Sequence, residues 1–160
     1  MRHGSMRALL AGCVATFIFT FSMYVVSTLV SGWPVDFVGT LGRLLGTSWA
    51  VALLVHLVVG AVLLPPLYVR VVEPILAGTP AARGVTWGVM LWLGSQAILL
   101  PLSGGGFFSS ASGGTIAALD SLMGHAAYGM VFGVLWGGLH AASPARRRRN
   151  APAFHFHRAA

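Results

Sequence analysis

Two histidines stand inside long apolar runs, where an ionisable side chain is rare and is a functional candidate by default. His56 opens the segment His56-Leu57-Val58-Val59-Gly60, and His125 opens His125-Ala126-Ala127-Tyr128-Gly129, so both read H-x-x-x-G. On a helix, the glycine at i+4 shares the histidine's face one turn away. Three chemistries fit this pattern. Two axial imidazoles from two helices can clamp a haem b, with Gly60 and Gly129 letting the macrocycle lie against the backbone. The pair can instead ligate another metal or relay a proton. In the third reading each imidazole hydrogen-bonds across the bundle, and each glycine permits close helix contact. One pair of histidines supports at most one haem.

The remaining polar residues are few. Asp120 lies five positions before His125, where it can cap a helix start or orient the imidazole. Tyr128 can donate to His125 or to a propionate. Gln96 calls for an interhelical hydrogen bond, and Glu73 has Arg70 nearby for a local ion pair. His140 falls toward a span end, where headgroups and water can satisfy it. Cys13 is alone in an apolar run and reads as a small inert hydrophobe. There is no Ser-His-Asp order, no carboxylate pair, no phosphate loop and no zinc-ligand cluster, so no catalytic activity is expected.

The elements that position these residues follow from composition. Of 160 residues, 56% are apolar and 8% charged. An average soluble domain is about a quarter charged. Thirteen charged side chains cannot cover a water-exposed surface, so the chain reads as an integral membrane protein. Four stretches approach the roughly 20 apolar residues a spanning helix needs: about 8–30, 48–69, 84–102 and 119–142. Backbone amides in lipid must be satisfied internally, so these are helices. The first is too long for a signal-peptide apolar region, and no convincing cleavage site follows it.

The ten arginines set the direction. Arg2 and Arg7 precede the first span, Arg70 and Arg83 lie between the second and third, and Arg146, Arg147, Arg148, Arg149 and Arg158 follow the fourth. Only Arg43 falls on the other side, which places both termini in the cytoplasm. The net charge of +7 is therefore a topology signal rather than a nucleic-acid footprint, since no basic face runs along most of the chain. The absence of lysine is consistent with GC-rich coding, hence a prokaryotic inner membrane. In the tail, 143–160, the run Arg146 to Arg149 attracts anionic lipid or a partner, at about 1 kcal/mol per cation. The alternation Phe154-His155-Phe156-His157 rests on the membrane or on that partner.

The outer connections differ from each other. The first carries Trp33-Pro34 and then Val35, Phe37, Val38, Leu41, Leu44 and Leu45, at the spacing of a short amphipathic surface helix. The second holds Gly104-Gly105-Gly106, Phe107-Phe108 and Gly113-Gly114, a flexible loop with an aromatic pair. In the inner connection, Pro65-Pro66, Pro74 and Pro80 terminate or kink the second helix. Each half of the chain thus has a helix, a Ser-Gly pair (Ser31-Gly32, Ser103-Gly104), an outer connection and a returning helix with one histidine. This is a parallel repeat of two similar helical hairpins. Gly129, Gly133 and Gly137, with Gly84 and Gly88, form small-residue stripes that mark close helix packing. Trp49, Trp87, Trp92 and Trp136 fall toward span ends, as interfacial aromatics do.

The Gly-rich part of the first helix around Gly12, His56-x-x-x-Gly60, the Pro-rich turn and Gly124-His125 through Gly133 together resemble an uncharacterised family of small four-helix prokaryotic membrane proteins. The resemblance covers roughly residues 8 to 140. It implies an all-α fold, a four-transmembrane-helix bundle with membrane residence, and supplies no reaction. The function expected is an accessory subunit of a larger membrane complex, respiratory or otherwise electron-transferring, contacting the lipid bilayer and other subunits and not nucleic acid. The alternative is a small bis-His haem b cytochrome; a transporter or channel component ranks below both.

The orientation has a direct test in a Cys13→Ala background. An impermeant maleimide added outside intact cells is expected to label Ser110→Cys, and to label Ser143→Cys only after permeabilisation. The reverse pattern would overturn the assignment.

Overall fold

A computed structural model describes the backbone of residues 2–141 and the side chains of 6–138. The tail, with Arg146 to Arg149, and the side chain of His140 lie outside the described residues. Helix α1 covers 2–31, α2 Phe37–Leu45, α3 Trp49–Ile75, α4 Pro80–Leu102 and α5 Gly114–Ala141, with no strand among the described residues. Four segments are long and apolar enough to cross a membrane: Met6–Ser31, Trp49–Ile75, Pro80–Leu102 and Gly114–Gly138. The chain is a multi-pass membrane protein.

The helices pack in the order α3, α1, α5, α4. The most extensive contact is α4 on α5, and glycine makes it possible. A Cβ on Gly84 would strike the carbonyl oxygen of Gly129, and one on Gly129 would strike that of Gly84. Likewise Gly88 faces the His125 carbonyl and Gly133 the Pro80 carbonyl. The two backbones are in contact along this seam, the geometry that small-xxx-small stripes permit in lipid. α1 packs on α5 through Ala8, Ala11, Ala15, Phe19 and Met23, spaced three and four apart on one buried face. Its opposite face, with Leu10, Phe17 and Phe21, is exposed.

α1 also packs on α3, and here, of the two outcomes expected of Pro65-Pro66, an end or a kink, the first does not occur. Pro65 and Pro66 do not end α3; the helix runs on to Ile75. A proline removes a backbone donor and crowds the carbonyl four residues earlier. Widened π-turns at Val59–Leu63 and Tyr68–Val72 flank the prolines and absorb that crowding. The Ala61 carbonyl, four residues before Pro65, lies where a Cβ on Gly12 would sit, so Gly12 lets α1 pass close to the distorted turn.

The first halves of the two hairpins match in a further detail. π-turns occur at Ser22–Val26 in α1 and Ser95–Leu99 in α4, each just before the Ser-Gly pair. In α1 this frees the Met23 carbonyl, which accepts the Ser27 hydroxyl and, at 3.0 Å, the Val35 N–H. The start of the first connection is thereby tied down. The amphipathic helix forms as expected, with the Asp36 carboxylate accepting from Gly39 N–H at 2.9 Å. α2 folds back onto α3.

α3 and α4 contact each other far less than each contacts its neighbour in the row. They meet near the end away from the long connections, where the Tyr68 and Trp87 ring centroids are 6.1 Å apart. The arrangement is all-helical, with α3 and α4 splayed like a fan above that contact.

Gly84→Leu is expected to destabilise the protein by at least the roughly 1–3 kcal/mol typical of overpacking, since backbone rather than a flexible side chain must give way. Gly94, where an added Cβ would meet nothing within 4 Å, is the control. Denaturant titration in detergent should show Gly94→Leu tolerated; equal losses would remove the seam as the determinant.

Candidate functional site: a two-histidine cavity

The gap between α3 and α4 encloses a partly open cavity of about 660 Å³. His56 from α3 and His125 from α5 both line it. About 10 Å of α3 and about 16 Å of α5 separate the imidazoles from their helix starts, at 1.5 Å per residue. One side chain from α1 brings the pair to a common level. The Phe19 ring centroid is 5.4 Å from that of His56 and 4.7 Å from that of His125. Phe37 from α2 covers His56 from the loop end, at 4.5 Å.

Hydrogen-bond accounting assigns the ring nitrogens. The Ser121 carbonyl lies 2.7 Å from His125 Nδ1, and a carbonyl can only accept, so Nδ1 carries the proton. In a neutral imidazole Nε2 is then the lone pair. The Thr20 hydroxyl donates to the Thr16 carbonyl at 2.9 Å, so its oxygen accepts from His56 Nε2–H, 3.3 Å away. His56 Nδ1 is then the second lone pair. Among the described residues, the side-chain polar atoms sealed without a partner are Arg83 Nε and Trp87 Nε1. Neither His56 Nδ1 nor His125 Nε2 is among them, and both residues line the cavity.

The cavity's other polar groups are placed by the loop and by α4. Phe108 and Ser109 adopt left-handed backbone, φ 49° and 60°, which costs a non-glycine residue about 1–2 kcal/mol. The turn delivers the Ser109 hydroxyl to Gln96 Oε1 at 3.0 Å. Gln96 is 1% exposed, and its partner is thus the loop, not the facing helix the sequence suggested. Trp92 N–H bonds the Ala118 carbonyl at 2.9 Å, and the Trp92 and Phe108 rings meet at 5.7 Å, holding the loop down.

Several expected roles change. Tyr128 does not reach His125; its hydroxyl donates to the Gly60 carbonyl at 2.9 Å and ties α5 to α3 beneath the cavity. Tyr68 and Phe132 close that floor, with ring centroids 5.1 Å apart. Asp120 neither caps a helix nor orients His125, because α5 begins earlier, at Gly114. Its carboxylate accepts from Ser31 at 2.5 Å and fastens the end of α1 to α5. Glu73 accepts from the Trp136 indole at 2.8 Å rather than pairing with Arg70. Trp87 and Trp136 are buried core residues, not interfacial anchors.

The glycines expected to seat a haem do other work. The space beside Gly60 is filled by Thr16, and the space beside Gly129 by Gly84 and Gly88. Phe19 is nearly equidistant from both imidazoles, so it stands close to the plane a macrocycle would occupy. As arranged, the residues do not fit a bis-His haem. No group of three or more His, Cys, Asp or Glu is placed to hold a metal ion among the described residues.

A model of a family of unknown function, DUF6789, matches residues 2–146. The chain belongs to the DUF6789 family. That match takes in every helix described above, including both histidines and the glycine seam. Comparison with curated proteins and with solved structures finds no match for this DUF6789 chain.

Tyr128→Phe should cost roughly 0.5–1.5 kcal/mol, the net worth of one hydrogen bond, and leave the floor packed. Tyr128→Ala should cost the roughly 3–5 kcal/mol of a large core truncation. Equal losses in denaturant titrations would mean the hydroxyl, not the ring, holds α5 to α3.

Proposed function

We propose that this chain is a membrane-embedded binding subunit that takes a small lipid-soluble molecule from the bilayer into the cavity between α3 and α4. The observation that carries this reading is the cavity itself. At about 660 Å³ it falls in the roughly 300–1,000 Å³ range of small-molecule sites. Its walls are mostly apolar side chains such as Val55, Leu64, Leu91 and Leu99, with a few convergent polar groups. In this proposal the guest enters between α3 and α4, which pack on α1 and α5 more than on each other.

The subunit belongs, in this proposal, to a larger electron-transferring complex in the inner membrane of a prokaryote, as an accessory component. Nine of ten arginines on one side support cytoplasmic termini, and the basic run Arg146 to Arg149 would brace the inner face. Exposed apolar residues on every spanning helix, among them Leu29, Leu54, Ile98 and Met123, suit contact with lipid or with other subunits.

A haem b reading keeps one observation in its favour. A ligating histidine typically donates its other ring N–H to a carbonyl, as His125 does to Ser121. Phe19 would first have to turn aside.

Three measurements on the purified chain separate these readings. An apolar environment-sensitive dye should bind saturably at one site, and Val55→Trp, which enlarges a side chain of the cavity wall, should weaken it. A reduced-minus-oxidised spectrum should lack a haem b band; a band abolished by His56→Ala and by His125→Ala would establish the cytochrome instead. Mild solubilisation should bring other membrane subunits with the chain, and recovery as a solitary monomer would remove the accessory role.

A further inference from the structure

We propose that the molecule held in this cavity is a lipid-soluble dihydroxylated aromatic ring of the hydroquinone class. The inference rests on the cavity reading above and names the chemistry of its occupant. A cavity built for a purely apolar guest has no reason to keep open hydrogen-bonding atoms. This one keeps two acceptors, His125 Nε2 and His56 Nδ1, left over once each ring's other nitrogen is used. Two acceptors on two different helices call for two donors on one rigid guest. A single terminal hydroxyl, as on a fatty alcohol, satisfies one of them and leaves the other desolvated.

A third polar group favours the same class. Gln96 Oε1 is engaged by Ser109, and its amide N–H₂ has no hydrogen-bond partner among the described residues. It can donate to a ring oxygen, which in a phenol accepts while its proton goes elsewhere. At the imidazole end, two acceptors and a donor suit an oxygen-bearing ring better than a carboxylate, which would bring lone pairs against lone pairs; the charged lining residues Asp36 and Arg43 belong to the α2 side. Phe19 and Phe37 set aromatic rings beside the imidazoles, and aromatic guests gain from offset and edge contacts with such walls. Leu64 of α3 and Leu91 of α4 also line the cavity and give a hydrocarbon tail apolar contact. The proposal concerns binding; no electron transfer is assigned to the chain.

The test uses the full chain in phosphatidylcholine nanodiscs. Quenching of Trp33, the tryptophan that lines the cavity, is followed during titration with an alkyl-substituted benzohydroquinone kept reduced. The Trp33→Phe protein serves as blank. The comparison ligand is the dimethyl ether of the same ring, which keeps the ring and both oxygens, adds two methyl groups and has no donors. The hydroquinone is expected to bind about tenfold more tightly, the worth of roughly 1.4 kcal/mol in hydrogen bonds. His125→Phe and His56→Phe should each shrink that preference while leaving the ether's affinity within about twofold.

Equal binding of hydroquinone and ether would overturn the hydroxyl assignment while leaving the cavity reading intact. So would a long-chain alcohol that binds as tightly as the hydroquinone. Failure of both ring ligands together with the apolar dye would overturn the cavity reading as well. If a histidine variant does not fold, the two-ligand comparison on the unaltered chain still decides.

Discussion

Backbone contact between α4 and α5 is the constraint from which the rest of the arrangement follows. In lipid there is no hydrophobic gain from bringing two apolar helices together, so close packing must supply the attraction. Gly84, Gly88, Gly129 and Gly133 remove the side chains that would keep the two helices apart. One member of the seam reaches the site directly. Gly88 faces the carbonyl of His125, so the position of that imidazole is set by how near α4 can come. With α4 committed to α5, and α1 placed between α5 and α3, no spanning helix is left to close the space between α3 and α4, and the segment 33–45 with α2 lines it instead. The cavity is the geometric remainder of that order of packing.

Polar groups then stabilise the opening rather than fill it. The bonds Tyr128 to Gly60 and Ser109 to Gln96 each join a cavity wall to something outside its own helix. Ser31 to Asp120 does the same at the end of α1. In a low-dielectric setting an unpaired polar group is costly, so each of these side chains is held to a single arrangement. The aromatic floor of Tyr68, Tyr128 and Phe132 supplies what the sparse α3–α4 interface does not.

Much of this was legible in the sequence, for identifiable reasons. Spans were visible because a bilayer demands length and apolarity together, and the α2 helix because its apolar residues recur at three and four. The histidine pair stood out because so little else in the spans is polar. What failed were inferences that needed a neighbour. Pro65-Pro66 reads locally as a break, and only Gly12 on another helix shows how a continuous helix accommodates it. Gly60 and Gly129 read as a seat beside each histidine, yet the atoms beside them belong to Thr16 and to α4. Trp87 and Trp136 looked like interfacial anchors because depth along a helix says nothing about which face is turned inward. Asp120 was misplaced because a glycine-rich, weakly apolar helix start at Gly114 carries little periodicity to detect.

The fan arrangement has a mechanical consequence. α3 is fastened to the remainder chiefly through α1, with α2 folded onto it, and comes closest to α1 near Gly12 and Ala61. Spanning helices answer a change in hydrocarbon thickness by tilting, at a modest energetic cost per ångström. The side of this protein with least to resist such tilting is the unsealed one. A tilt of α3 relative to α4 would change the width of the cleft before it disturbed the glycine seam.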